Sequence, residues 1–231
     1  MRSESVAVSL IILWYSLVID FSPTIEVLFM LDPNRKLTKQ ETAQFFNEAR
    51  LRLSLIATTN INIDSIIVSC EKALSQAEYL QQTYLAGYVH EPVFMGVQIP
   101  LVWDVTNLLK SSSPVATKEV SVQYLRNLMV PEMFDDPYGT SYSCGPIILA
   151  ELPFCFPNAC ILDGNHRVLD ALRSGNGTLP AKLYYAQDHI GFMSPYSKVL
   201  FSVCCNILYA SLLVEGKISA EEFKRISFPL D

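Results

Sequence analysis

The residues with the clearest chemical potential are Asp163-Gly164-Asn165-His166-Arg167. A short apolar run precedes them and apolar residues at helical spacing follow, which predicts a strand that turns on a glycine into a helix. The free amides and the positive dipole end at the start of a helix favour anions. The sequence therefore predicts an anion site at this corner, most simply a phosphate site.

Each residue of this box has a possible role there. Gly164 lets the backbone approach a ligand closely, and Asn165 adds a helix-start amide. Arg167 has a planar fork that matches phosphate oxygens, and His166 can donate a hydrogen bond or shuttle a proton. Asp163 can bind Mg²⁺ or take a proton from a hydroxyl group. The alternative is a structural turn in which Arg167 pairs with a nearby carboxylate.

Length and composition limit the classes of protein to consider. The chain has 231 residues, 50% of them hydrophobic and 17% charged, which excludes a disordered tail and allows one large domain or a core with helical additions. The formal net charge of −6 disfavours nucleic acid and anionic membranes as partners. The six cysteines form no Cys-x-x-Cys pair, so we expect buried free thiols and a reducing, cytoplasmic location.

Two segments are apolar enough to raise the question of a signal peptide or a membrane span. Residues 6–19 resemble a signal-peptide core, but a buried helix or strand fits better because no clean cleavage site follows. Residues 196–214 include polar side chains and are interpreted as a core helix. We therefore expect no membrane partner.

The order of the elements predicts a mixed α/β fold with three parts. Residues 1–90 form a mainly helical extension, with a capping box at Thr38 and a second helix capped by Asp64. Residues 91–187 form an α/β core, and residues 188–231 form a helical extension that packs on it. In the core, strands are expected at 93–102, 146–150, 159–162 and 180–185, with helices at 104–110, 117–129 and after Asp163.

The C-terminal extension has two clear helix starts. Ser194-Pro195 is expected to begin a long apolar helix that ends near Gly216, and a second capping box begins at Ser219. The long helix offers one route to a homodimer.

Residues 97–185 resemble the ParB/sulfiredoxin superfamily, through the box at 163–167 and the elements around it. The resemblance implies a small mixed sheet with flanking helices and a helix that cradles nucleotide phosphates. Asn165 stands where sulfiredoxins have their catalytic cysteine, which argues against sulfinic-acid reduction. The box is most similar to that of the free-serine kinase branch, in which a glutamate elsewhere also serves catalysis. Glu119, near the start of the helix predicted at 117–129, is the candidate for it, and a solvated helix-start carboxylate is the alternative.

The resemblance implies an enzyme that binds ATP or another nucleotide with Mg²⁺. It would be a kinase for a small hydroxyl-bearing substrate, or a nucleotide hydrolase, with Asp163, His166 and Glu119 as catalytic residues. One alternative is a non-catalytic module that binds a nucleotide or a partner. Another is a DNA-binding protein or nuclease of the ParB type, which the acidic composition disfavours.

A few further residues have weaker signals. His189 is expected to be solvated or to make a local hydrogen bond, with a site role as the alternative. Asp104 is expected to cap a helix, and Lys182 to be a surface charge near the corner. Tyr138, Tyr142 and Ser143 belong to a loop that is either a lid over the site or an ordinary surface loop.

Overall fold

A computed structural model describes residues 32, 34–58, 61–80, 88–111, 115–129 and 145–230. It is of the mixed α+β class, as predicted, and Pro33–Asp231 form one compact unit. Helices of both predicted extensions and the predicted core therefore belong to the same unit. The apolar segment 6–19 and the three loop residues proposed for a lid lie outside the described residues.

The first two helices pack against each other. Helix α1 spans Lys39–Ile56, and its predicted capping box is confirmed: Glu41 N donates to Thr38 Oγ1 at 3.2 Å, and Thr38 N donates to Glu41 Oε2 at 2.8 Å. Helix α2 spans Ile63–Ala77 and begins at Asn62, so the cap predicted at Asp64 is wrong. The Asn62 amide oxygen accepts from Ser65 N, and Asp64 contributes only its negative charge to the first turn.

Two small antiparallel sheets and a short helix follow. Strand β1 (Tyr88–His90) pairs with β4 (Leu101–Trp103), and β2 (Val93–Phe94) pairs with β3 (Val97–Gln98). The single strand predicted over 93–102 is wrong because the chain turns at Met95-Gly96, where both residues have positive φ. Helix α3 (Val105–Lys110) is capped by Asp104, as predicted.

The main sheet has four strands in the order β5-β8-β6-β7. Its elements are β5 (Thr117–Ser121), α4 (Val122–Arg126), β6 (Ile147–Glu151), β7 (Ala159–Asp163), α5 (Asn165–Ser174) and β8 (Thr178–Tyr184). β6 and β8 are parallel, and the other pairs are antiparallel. The helix predicted at 117–129 is wrong in its first half, because residues 117–121 pair with β8 and only the second half is helical.

Helices α4 and α5 cover one face of this sheet. Leu125 on α4 and Val168 on α5 pack with Ile147, Leu149 and Ile161 of the strands, and all five are buried. Since successive strand residues face opposite sides, the odd-numbered residues 147, 149, 159, 161, 179, 181 and 183 share this face, up to the register shift that pairs Asp163 with Ile148. The face fixes α5 against the strands, and with it the box at residues 163–167.

The C-terminal part begins with α6 (Ala186–His189) and a 3₁₀ turn (Ile190–Phe192), followed by α7 (Pro195–Val214) and α8 (Ala220–Ile226). Sixteen of the twenty residues of α7 are buried, and it packs against α1, α2, β4 and α8. In the described part of the chain, α7 alone is long and apolar enough to cross a membrane, but 83% of that window is buried inside the protein. The chain itself covers most of this helix, and the predicted homodimer stays a prediction.

The buried thiols predicted from the sequence are confirmed where the structure describes them. Cys70, Cys155, Cys160, Cys204 and Cys205 are free and buried. Burial raises the pKa of each thiol, so these groups are uncharged and behave as small apolar side chains. Cys144 lies outside the described residues.

A chain of aromatic contacts joins the N-terminal helices to the rest. Phe45 of α1 meets Phe94 at a centroid distance of 5.9 Å, and Phe94 meets Phe154 at 5.1 Å. Phe154 meets Phe201 of α7 at 5.5 Å, and Phe201 meets His189 at 5.1 Å. Such pairs add specific geometry to the apolar burial, so α1, α6 and α7 are held around one core.

His189 is fully buried, so the expectation that it is solvated is wrong. Trp103 Nε1 donates to His189 Nδ1 at 3.1 Å. The indole N–H can only donate, so Nδ1 is unprotonated and Nε2 carries the proton. Nε2 then donates to the backbone oxygen of Glu151, 2.9 Å away. The neutral imidazole thus links β4, β6 and α6.

We expect this histidine to make stability depend on pH. Burial lowers the pKa of His189 from 6.5 to about 4. Between these two pH values the unfolded chain binds a proton at this residue and the folded protein does not. Stability should fall as the pH drops from about 6.5 to about 4, by up to about 3 kcal/mol for this group. His189→Gln should be less stable at pH 7 but show a flatter decline, measured by urea unfolding at a series of pH values.

His90 provides the matched comparison, because burial lowers its pKa to about 4 as well. His90→Gln should remove a second, separate part of the decline. An unchanged pH profile in His189→Gln would contradict the assignment.

Candidate functional site

The predicted corner is present where β7 meets α5. β7 ends at Asp163, α5 begins at Asn165, and Gly164 is the N-cap between them with φ +107°. The first bond of the helix runs from Val168 N to Gly164 O at 3.2 Å. The amides of 165–167 therefore lie in the first turn, ahead of the helical ladder, as a phosphate-binding turn requires.

Gly164 is needed for its lack of a side chain as well as for its backbone angle. A β-carbon at this position would stand 2.6 Å from Ile147 Cδ1 and 2.8 Å from Arg167 Nη2. Both distances are shorter than real β-carbon contacts allow. The space that a side chain would fill is occupied by the guanidinium of Arg167, which folds back over the turn.

Arg167 is held by two contacts in the described structure. Its Nη2 donates to Asp163 Oδ2 at 2.8 Å, and its Nη1 donates to the backbone oxygen of Gly145. Its side chain is only 14% exposed, whereas that of Asp163 is 42% exposed. The structural alternative considered above, in which Arg167 pairs with Asp163, is therefore present. These two contacts use two of the five N–H groups of the guanidinium.

A cavity of about 480 Å³ opens beside Arg167. It follows one side of α5, where Arg167, Asp170 and Ser174 recur at helical spacing, and continues to Asn176 and the start of β8. Its other walls come from residues 145–147 and from Thr117, Leu179 and Pro180. The volume is within the usual range for small-molecule sites, and the positive charge lies at one end.

Arg167 is the one residue of the box at 163–167 that lines this cavity; Asp163 and Gly164 lie outside its wall, and so do the two remaining box residues. Asn165 and His166 are half-buried in the first turn of α5, and neither lines the cavity. A ligand that reaches them must extend from the cavity over Gly164. The corner thus brings together Asp163, Gly164 and Arg167, with Asn165 and His166 at its margin.

Glu119 is not part of this group. It was expected at a helix start, but it lies in the middle of β5, is exposed and pairs with Pro180. Since β5 and β7 are the two outer strands, three strand spacings, about 14 Å, separate it from Asp163. Its carboxylate cannot act on the same phosphate as Asp163.

The residues present do not build a metal site of their own. The corner offers one carboxylate, Asp163, and Arg167 already pairs with it. In the described part of the chain, no group of three or more His, Cys, Asp or Glu side chains has the arrangement of a metal site. Mg²⁺ usually needs one or two carboxylates and the substrate's phosphates. The predicted Mg²⁺ site stays a prediction.

Sequence reasoning missed the far side of the cavity. Gly145, Asn176 and Pro180 come from separate elements that only the tertiary fold brings together. Asp170 and Ser174 had a usable signal, because they follow Arg167 by three and seven residues and so share one side of the helix.

Comparison of the chain with protein-family models, with curated proteins and with solved structures finds no match. The likeness to the ParB/sulfiredoxin superfamily therefore rests on the sequence features described above and stays a prediction.

The tight packing at Gly164 gives a direct test. Gly164→Ala should lower the free energy of unfolding by about 3 kcal/mol, because it adds a steric clash to the cost of a positive φ. Gly175→Ala is the matched control: Gly175 caps the other end of α5 at φ +72°, and a β-carbon there meets nothing within 4 Å. It should cost only about 1 kcal/mol. Equal losses in urea unfolding would show that the packing at Gly164 is unimportant.

Proposed function

We propose that the protein binds a nucleotide, ATP or a relative of it, through its phosphates at the corner formed by Asp163, Gly164 and Arg167. The observation that carries the proposal is the juxtaposition of a helix start, a glycine that leaves no room for a side chain, and a guanidinium at the end of a 480 Å³ cavity. Helix-start amides and arginine are the two donors that phosphate oxygens favour.

Binding would proceed by exchange of partners. A phosphate at the first turn would accept from the amides of 165–167 and from the Arg167 guanidinium. His166 would add a donor at the margin, and the remainder of the nucleotide would extend along α5 toward Ser174 and Asn176. An anion next to Arg167 would weaken its pair with Asp163, because both negative groups compete for one guanidinium.

We further propose that the bound nucleotide reacts, by phosphoryl transfer to a small hydroxyl substrate or by hydrolysis. Asp163, which is more exposed than its partner, would take the proton of the attacking hydroxyl group once Arg167 turns to the phosphate. Positioning and charge neutralisation would supply most of the acceleration. The resemblance to the free-serine kinase branch supports this order of roles.

A non-catalytic binding module is the second candidate, and one observation favours it. Asp163 is bound by Arg167, and the second carboxylate proposed for catalysis, Glu119, is on the far strand of the sheet. A site with one engaged carboxylate can bind phosphate without turning it over. The acidic composition disfavours the third candidate, a DNA-binding protein or nuclease.

We also propose a cytoplasmic location. The five described cysteines are unpaired and buried, which is usual for proteins of reducing compartments.

Two substitutions separate binding from turnover. Arg167→Ala should weaken the binding of ATP, ADP or CTP about tenfold to a hundredfold in calorimetry, because it removes charge-assisted hydrogen bonds. Asp163→Asn should retain binding and abolish turnover, measured as release or transfer of the γ-phosphate. Loss of turnover with unchanged affinity would support the enzyme, whereas binding without turnover in the unaltered protein would support the module.

Arg173→Ala is the control for charge, because Arg173 lies at the other end of α5 and its side chain is 52% exposed. It should leave the affinity unchanged. If the unaltered protein bound none of the three nucleotides, or if Arg173→Ala and Arg167→Ala weakened binding equally, the proposed site would be wrong.

A further inference from the structure

A second cavity lies on the face of the main sheet that α4 and α5 cover only in part. Its volume is about 410 Å³, and it shares no wall residue with the cavity at Arg167. Leu149 at its floor belongs to the hydrophobic core, whereas Val120 and Leu183 remain partly exposed beside it. A sheet face of this kind is normally covered, and here part of it opens into a pocket.

Two tyrosines form the rim of this pocket. Tyr124 of α4 is 39% exposed, and Tyr185, which follows β8, is 51% exposed. Aromatic rings above an aliphatic floor suit a flat apolar group, because rings prefer offset or edge contacts with other rings. The apolar part of a ligand would therefore be planar and about the size of one ring system.

The register of the sheet turns Lys118 toward the pocket. Lys118 pairs with Ala181, which belongs to the covered face, and the next residue of β5 faces the other side. Among the described residues, Lys118 has no ion-pair partner. Of the described residues that line this pocket, Lys118 is the only one with a cationic side chain.

Among the described residues, one acidic side chain lines the wall, and it accepts a backbone hydrogen bond. Asp188 Oδ2 accepts a hydrogen bond from Tyr185 N at 3.1 Å, at the start of α6. Asp188 keeps its negative charge, so the described wall carries one charge of each sign, and Lys118 is the one of the two for which no hydrogen bond or ion pair is present among the described residues. The charges therefore favour a ligand with a negative group.

We propose that this pocket binds a small aromatic carboxylate, with its ring between Tyr124 and Tyr185 above Leu183 and its carboxylate paired with Lys118. The site is separate from the phosphate corner and does not depend on the function proposed for it. It would give the protein a second ligand of different chemistry.

Phenylacetate is a suitable probe, and ¹H–¹⁵N correlation spectra of the full chain are the measurement. We expect it to shift the amide signals of Val120, Leu149 and Leu183 in a saturable way. Phenylacetamide, which has the same shape but no charge, and phenethylamine, which is a cation, should bind more weakly. Saturating ATP should leave the affinity for phenylacetate unchanged.

Lys118→Gln should weaken phenylacetate binding about fivefold, as expected for a partly exposed ion pair. Lys182→Gln is the matched control, because Lys182 is on the opposite face of the same sheet, paired with Thr117; it should have no effect. Tyr185→Ala should also weaken binding, and it tests the rim if the Lys118 variant folds poorly.

Four results would overturn the proposal. They are an absence of saturable shifts at millimolar phenylacetate, equal binding of the amide or the amine, equal effects of the two lysine substitutions, and shifts confined to residues 164–167 that ATP suppresses.

Discussion

The burial of α7 is the constraint on which the rest of the structure depends. A helix that is apolar on all sides must be covered on all sides, and one twenty-residue helix cannot be covered by a four-stranded sheet alone. The chain meets this demand with α1 and α2 from before the sheet, β4 and α8. The N-terminal helices are therefore part of the core packing rather than an attachment. Asn206, a buried polar residue of α7, is also satisfied within the chain. Its Nδ2 donates to the backbone oxygen of Phe228 at 2.9 Å, and its Oδ1 accepts from Phe228 N at 2.8 Å.

A neutral histidine, His189 of α6, connects strand β4 of a small sheet to strand β6 of the main sheet. His189 joins Trp103 on one side to the backbone of Glu151, the last residue of β6, on the other. Ile147, at the other end of β6, touches the place where a side chain at Gly164 would go. The geometry of the corner at Gly164 thus depends on how β6 is packed, and the box residues by themselves would not fix it.

The features that could be predicted from sequence are those decided within a few residues. The capping box at Thr38, the cap at Asp104 and the strand-glycine-helix turn at Gly164 all depend on local hydrogen bonds or local backbone angles. The predictions were wrong where residues far away in the sequence determine the secondary structure. Residues 117–121 have a helical pattern but gain more by pairing with β8, and Glu119 moved with them. The cavity beside Arg167 could not be foreseen, because its walls come together only in the folded chain.

The placement of β5 has a consequence for contacts between molecules. The two edges of the main sheet differ: β7 is buried for four of its five residues, while β5 is exposed for four of its five. An open edge strand offers unpaired backbone groups to any other strand, and charged side chains are a common defence against such pairing. Lys118 and Glu119 follow each other on that strand and face opposite sides of the sheet. Glu119, too far away to act at the corner, places a charge on this strand, and such charges disfavour pairing with another strand.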